Sequence, residues 1–204
     1  MNRLLIGFVT AMLAACVHAD GTAQPAEQKP AVTPPQNEAR PLSTADAQAL
    51  AQFDERLKQY ADLHKRLENT LPRLAKETDP KIIDTHQRAL EKLIKAERKN
   101  AKPGDLFTPA VQAHIRQLLA RVFAGKQGAE LKGTILDENP GKIALTVNSR
   151  YPDEVPLSTV PPQVLSALPK LPKELEYRFI GDRLILLDVH AHTVADYMDN
   201  VFPG

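Results

Sequence analysis

The sequence is poor in the residues that most binding chemistries require. It contains no tryptophan, its aromatic share is 5%, and 26 basic against 25 acidic side chains leave a net charge of +1. Base-stacking platforms and sugar-binding aromatic faces are therefore poorly supplied, and no block of like charge indicates a nucleic-acid surface. We expect no nucleic-acid partner.

Catalytic motifs are also lacking. The sequence has no Gly-x-Ser-x-Gly elbow, no phosphate-binding glycine loop and no His-Glu-x-x-His, and Cys16 is its only cysteine. A lone cysteine cannot form an intramolecular disulfide, so packing has to stabilise the fold. These absences favour a non-catalytic binding or interaction protein over an enzyme.

The N-terminal apolar run has the length of a secretory signal and is too short to span a bilayer. It covers about twelve residues, from Leu4 to Ala15, and follows the basic Arg3. We therefore expect residues 1–19 to be an export leader and the mature protein to lie in the bacterial periplasm.

Two cleavage patterns overlap at the end of this leader. Val17-His18-Ala19 predicts a cut before Asp20, which would release a soluble periplasmic protein. Leu13-Ala14-Ala15-Cys16 resembles the lipobox of bacterial lipoproteins, and this resemblance implies a lipid on Cys16. In proteins of that kind an aspartate after the cysteine retains the protein in the inner membrane. Valine follows Cys16 here, so the resemblance implies an outer-membrane anchor.

Residues 20–42 predict a disordered, proline-rich linker. They hold five prolines among Ala, Gln, Glu and Thr, and such a segment cannot bury enough apolar surface to offset its ordering entropy. A lipoprotein needs a tether of this kind, which favours lipidation. Residues 43–204 have the length of one ordinary domain.

Residues 43–138 predict helices. Ser43 is suited to cap a first helix, and proline in the first turn of Asp79-Pro80 and Thr108-Pro109 starts a second and a third. Residues 129–138 fit a short fourth helix slightly better than a strand. Pro72 should end or bend the first helix near Leu71. The apolar positions of that helix, three and four apart, are Leu50, Phe53, Leu57, Tyr60, Leu67, Leu71 and Leu74.

His64 occupies the one remaining position in this apolar series, and His86 lies in the stripe of the second helix. If the two helices form an antiparallel hairpin with its turn at residue 75, both histidines lie eleven residues from that turn. They would then face each other across the hairpin. This predicts a buried histidine pair. Two alternatives follow from it. The pair is either a metal or proton-switch site, or two side chains that are partly exposed to solvent at the edge of the helix–helix interface.

Residues 139–204 predict a small antiparallel β-meander. The alternation in 142–148 favours one strand, and 176–180, 183–188 and 193–198 favour three more, with Gly181-Asp182 as a tight turn. Pro161-Pro162 opens a short helical turn inside a passage with six prolines between Pro152 and Pro172. The fold class is therefore α+β: an antiparallel helical hairpin or bundle followed by the meander, which helices cover on one face.

The segment LPKLPKELEYRFIGDRLILLDVHAHTVADYM, residues 168–198, resembles the closing module of small periplasmic proteins of the nickel and cobalt homeostasis type. They share the Leu-Pro repeat, the Tyr-rich strand, the glycine turn and an aliphatic strand ending in Asp. This resemblance implies metal handling. From Phe53 onward the chain also resembles exported bacterial proteins without an assigned function.

Asp188, His190 and His192 alternate within this segment. On a continuous strand they would point to one face and offer a divalent metal one oxygen and two nitrogens. The resemblance instead places Val189 to His192 in a turn, where the alternation fails. The sequence thus predicts an exported, non-catalytic module that binds an envelope protein or a small ligand. The alternative is a protein that binds nickel, cobalt, copper or zinc, and a homo-oligomer formed through the helical hairpin is a third reading.

Overall fold

The first helix begins where the sequence places a cap. The computed structural model describes residues 42–138 and 143–202, all within one compact unit, Pro41–Gly204. Helix α1 spans Thr44–Glu68, and the Ser43 side chain accepts a hydrogen bond from the backbone N–H of Asp46 at 3.0 Å. The helix ends three residues before the predicted bend near Leu71, because a residue that precedes a proline such as Pro72 disfavours the helical conformation.

Three of the next four helices begin with proline in the first turn, where its missing N–H costs no hydrogen bond. The Asp79 side chain caps the second helix by accepting from the N–H of Lys81 at 2.8 Å. Residues 129–138, which were open between helix and strand, continue the fourth helix. The helices are α2 (Pro80–Glu97), α3 (Pro109–Val122), α4 (Gly125–Asp137) and α5 (Pro162–Ala167).

Helices α1 and α2 run antiparallel. Arg98, just after α2, lies over the Tyr60 ring in the middle of α1, whereas His86 in the first half of α2 shares a cavity with Leu71, just after α1. Their apolar faces meet at Leu67, Leu90 and Ile94. The predicted helical hairpin is therefore present.

Three strands form an antiparallel sheet in the order β1-β2-β3, as the sequence predicted. They are β1 (Leu175–Ile180), β2 (Arg183–Asp188) and β3 (Thr193–Met198). Gly181 takes a positive φ of 57° in the β1–β2 turn, which glycine adopts without a Cβ clash. A bulge interrupts the second pairing, because Leu186 pairs with Asp196 and Leu187 with Val194. The α+β prediction is confirmed.

The strand predicted over 142–148 is wrong for the described part, residues 143–148. Asn148 adopts a positive φ of 62°, which breaks the extended conformation that an alternating pattern requires. The segment nevertheless lies along the edge of β3, where the Asn148 N–H donates to the Val194 carbonyl at 2.8 Å and Tyr151 donates to the His192 carbonyl at 2.9 Å. Arg150 and Thr193 form an isolated bridge.

The sheet is covered on both faces. Side chains from α1, α3, α4 and α5 pack with Tyr177, Phe179 and Leu184 on one face, and Leu145 and Tyr151 pack with the other. The end of the α1–α2 hairpin then contacts the β2–β3 turn through Ala191. No helix in 42–138 or 143–202 has the length and hydropathy to cross a membrane.

Candidate metal centre

Three polar side chains lie one above the other on α1. Tyr60, His64 and Glu68 are each four residues apart, a spacing that places side chains on the same face of a helix. Tyr60 and His64 are buried, with 3% and 1% of their surface exposed, while Glu68 is about one third exposed. This polar row faces the turn between β2 and β3.

Asp188, the last residue of β2, is the central acceptor of the cluster. It is fully buried, and its Oδ2 accepts hydrogen bonds from the Tyr60 hydroxyl at 2.8 Å and from His64 Nδ1 at 2.6 Å. Its Oδ1 accepts from the backbone N–H groups of His190 and Ala191 at 3.1 and 2.8 Å. Each oxygen thus has two donors, which is how a buried carboxylate is kept stable.

The second ring nitrogen of His64 has no hydrogen-bond partner among residues 42–138 and 143–202. Its Nε2 is buried and lies 3.4 Å from Glu68 Oε2. Because the Asp188 carboxylate only accepts, Nδ1 carries the hydrogen, and in the neutral ring Nε2 then exposes a lone pair. A buried lone pair that faces a carboxylate is repelled by it, unless a proton or a cation lies between them.

His190 completes the cluster from the β2–β3 turn. Its Nδ1 donates to Glu68 Oε1 at 2.9 Å, and its ring meets the His64 ring edge-on with centroids 5.2 Å apart. One ligand atom from each of His64, Glu68 and His190 lies within 4.8 Å of the others. We call these three residues the metal triad.

Negative charge dominates around His64. Burial alone lowers the pKa of its imidazole, but the hydrogen bond and charge of Asp188, with the charges of Glu68 and Glu174, outweigh burial and raise that pKa. The same surroundings raise the pKa of Tyr60 well above its usual range, chiefly through burial and then through Asp188. The site therefore favours a positive charge at His64 Nε2, whether a proton or a metal ion.

Arg98, which follows α2, also contacts Tyr60. The Arg98 guanidinium lies 4.9 Å from the centre of the Tyr60 ring and donates to the Ala195 carbonyl at 2.9 Å. Ala195 is the extra residue of the β3 bulge. Arg98 also exchanges hydrogen bonds with Asn148.

The structure does not bring Asp188, His190 and His192 together as three ligands. Asp188 ends β2, and residues 189–192 form the turn that the resemblance implied. His192 has a positive φ of 55°, and its ring packs edge-on against Tyr151. Its Nε2 lies 3.8 Å from Asp153, and burial, then Arg150, lower its pKa. Of these three predicted ligands, His190 alone belongs to the triad.

His64 and His86 do not form the predicted buried pair. His64 is buried, but its histidine neighbour is His190, and His86 is only partly buried. His86 instead lines a cavity beside Glu68. The antiparallel hairpin is present. A turn centred on residue 75 would have placed His86 opposite His64, but His86 instead lies near Leu71. The predicted lipidation site, Cys16, and residues 20–41 of the predicted linker lie outside the described residues.

Sequence reasoning missed Glu68 and gave Asp188 the wrong place in the cluster. The local signal for Glu68 was available: His64-x-x-x-Glu68 puts a nitrogen and a carboxylate on one helix face. Nothing local indicated that Asp188 would contact His64, because 124 residues separate them. Asp188 supports a ligand and is not itself positioned as one.

The spacing between His64 and Glu68 suits a transition metal. Tetrahedral bonds of about 2.05 Å place neighbouring ligand atoms about 3.3 Å apart, close to the 3.4 Å between His64 Nε2 and Glu68 Oε2. A metal-bound histidine usually donates its other ring N–H to a carboxylate, as His64 does to Asp188. Two imidazoles and one carboxylate suit zinc, copper, nickel or cobalt.

No protein-family model, curated protein or solved structure matches this chain.

Proposed function

We propose that this protein is a non-catalytic module of the bacterial cell envelope that binds a divalent transition metal through His64, Glu68 and His190. The observation that carries the proposal is the buried Nε2 of His64, which lacks a hydrogen-bond partner in the part of the chain that the structure describes and faces a carboxylate at 3.4 Å. A metal ion would satisfy the lone pair and the carboxylate together. This ligand set replaces the one expected from His190 and His192.

Each residue has a distinct role in the proposed site. His64 supplies Nε2 from the interior, Glu68 supplies a carboxylate oxygen, and His190, which is 40% exposed, supplies a ring nitrogen from the surface. Asp188 holds the His64 ring in the tautomer that binds metal. Metal binding requires the hydrogen bond from His190 Nδ1 to Glu68 Oε1 to be exchanged for bonds to the ion.

The proposed location depends on the N-terminal sequence. Leu13-Ala14-Ala15-Cys16 supports export and a lipid anchor in the outer membrane, and cleavage before Asp20 would instead leave the module soluble in the periplasm. We propose that the metal is taken up in that compartment. The module would then hold the metal itself as its small ligand or present it to an envelope partner.

Metal titration of the full chain tests this proposal. We expect zinc, nickel, cobalt or copper to bind with a dissociation constant in the micromolar range or tighter, measured by calorimetry or by competition with a chromophoric chelator. Glu68→Gln keeps the shape of the side chain but removes its charge, and His190→Ala removes a surface ligand. Each should weaken binding at least about tenfold.

His192→Ala is the matched control. His192 lies two residues from His190 in the same turn, but its ring contacts Tyr151 and Asp153. We expect this variant to bind metal like the wild type. Equal losses in His190→Ala and His192→Ala would instead support the site read from the sequence, and a wild-type chain that binds none of the four metals would refute the proposal.

A further inference from the structure

The metal triad leaves one coordination position open. Transition metals with nitrogen and oxygen ligands commonly take four in a tetrahedral arrangement, and His64, Glu68 and His190 supply three. Asp188 cannot be the fourth without losing donors, because each of its oxygens already accepts two hydrogen bonds. The fourth ligand must be water, an external group or another side chain.

A cavity of about 310 Å³ adjoins the triad, between the end of α1 and the first half of α2. Glu68 belongs both to the triad and to the wall of this cavity, and Leu71, Pro72 and His86 also line it. This volume is about ten times that of a water molecule in the liquid. An imidazole ring therefore has room to turn into it.

His86 differs from the other histidines of the described residues. His64 contacts Asp188, His114 lies 3.2 Å from Asp46, His190 contacts Glu68, and His192 lies 3.8 Å from Asp153. Among residues 42–138 and 143–202, none forms a hydrogen bond or an ion pair with the His86 ring. No such bond has to break for the ring to move.

The helix spacing directs His86 toward α1. It lies one turn before Leu90, which is fully buried against Leu67, so His86 extends the same face of α2 toward the end of α1. Its ring is not a member of the triad in the structure, but it shares the wall of this cavity with Glu68 of the triad.

We propose that His86 is the fourth ligand and turns into the cavity when the metal binds at His64, Glu68 and His190. This inference depends on the proposed function, because it needs a metal at the triad. It assigns to α2 a direct role in holding the ion. Metal binding would then join α1, α2 and the β2–β3 turn at one point.

Cobalt(II) chloride added to the full chain tests the assignment, because the visible absorption of cobalt reports its coordination. We expect His86→Ala and the larger His86→Gln to bind cobalt at least about tenfold more weakly than the wild type. We also expect their visible spectrum to change, because water would replace an imidazole nitrogen. Gln87→Ala, at the next position of α2, is the control and should leave affinity and spectrum unchanged.

The outcomes separate this inference from the proposed function. Glu68→Gln and His190→Ala could weaken cobalt binding while both His86 variants keep the wild-type affinity and spectrum. That result would support metal binding at the triad and show that His86 is not a ligand. A wild-type chain that binds no cobalt, zinc, nickel or copper overturns both. Loss in the two His86 variants, with the circular dichroism spectrum of the free protein unchanged, supports both.

Discussion

At the scale of single residues, Asp188 determines what His64 can do. Its Oδ2 receives the hydrogen of His64 Nδ1 at 2.6 Å, and this contact leaves Nε2 as the free nitrogen. The other donors, Tyr60 and two backbone N–H groups, keep the carboxylate in position. A change at Asp188 should therefore alter the tautomer, the pKa and the metal affinity of His64 together.

We predict that Asp188→Asn weakens metal binding about 10- to 100-fold. The Asn amide would donate to His64 Nδ1, so the hydrogen of the neutral ring would move to Nε2 and block the metal. The pKa of His64 should also fall, because the charge that raises it is gone. Proton NMR titration of the imidazole and calorimetric titration with zinc measure the two effects.

The same variant should lose stability in a pH-dependent way. The raised pKa of His64 means that its pairing with Asp188 stabilises the fold fully below the unfolded histidine pKa of about 6.5. That contribution disappears as pH rises through the raised value. We expect a loss of about 3 kcal/mol at pH 6 and a smaller loss at pH 8.5 in urea unfolding. An equal loss at both pH values would show that His64 does not titrate between pH 6 and pH 8.5.

At the scale of elements, the β2–β3 turn is held from both sides. His190 bonds to Glu68 on α1, Ala191 is buried against the α1–α2 hairpin, and His192 lies near Asp153. A second buried carboxylate, Asp196 of β3, accepts the backbone N–H groups of Gly104, Leu106 and Phe107 and so fixes the loop between α2 and α3. The sheet thus contacts both the α1–α2 hairpin and the loop between α2 and α3.

The joint between α3 and α4 depends on a glycine. A Cβ on Gly128 would lie 2.3 Å from the backbone carbon of Phe123, whereas one on Gly133 would meet nothing within 4 Å. We predict that Gly128→Ala destabilises the protein by about 3 kcal/mol, because the backbone has to move apart. Gly133→Ala, in the same helix, should stabilise it by about 0.5–1 kcal/mol. Chemical denaturation measures both, and equal effects would contradict the close packing of α4 on Phe123.

At the scale of the whole molecule, the candidate site lies where three parts of the domain meet. Helices cover one face of the sheet and residues 143–155 cover the other, while the end of the α1–α2 hairpin extends to the β2–β3 turn. The proposed metal would connect residues 64, 68 and 190 of the chain.

The intact mass of the mature protein from its native host, measured under non-denaturing conditions, tests this arrangement. We expect the mass of a chain that begins at Cys16, plus the masses of the acyl groups and of one metal ion. A chain that begins at Asp20 would contradict the lipid anchor while leaving the metal proposal to the titrations. A mass at twice the chain would indicate the dimer that the helical hairpin suggested.

The sequence by itself determined the elements whose causes are local. Ser43 and Asp79 cap α1 and α2, prolines start three helices, Gly181 makes the hairpin turn, and short apolar runs between turn residues define β1 to β3, because each of these depends on a few neighbouring residues. The helical face of His64 was predictable for the same reason. The strand expected over 142–148 failed in its described part, because the left-handed conformation of Asn148 depends on its contacts with Arg98 and Val194.

Only the tertiary structure decided the site. Asp188 and His64 meet across 124 residues, and Glu68 joins His190 across 122, distances over which a local pattern carries no information about contact. His190 and His192 look equivalent in the sequence, yet the left-handed conformation of His192 directs them to different neighbours. The sequence supplied the ligand types, and the packing of the α1–α2 hairpin on the β2–β3 turn selected which of them lie together.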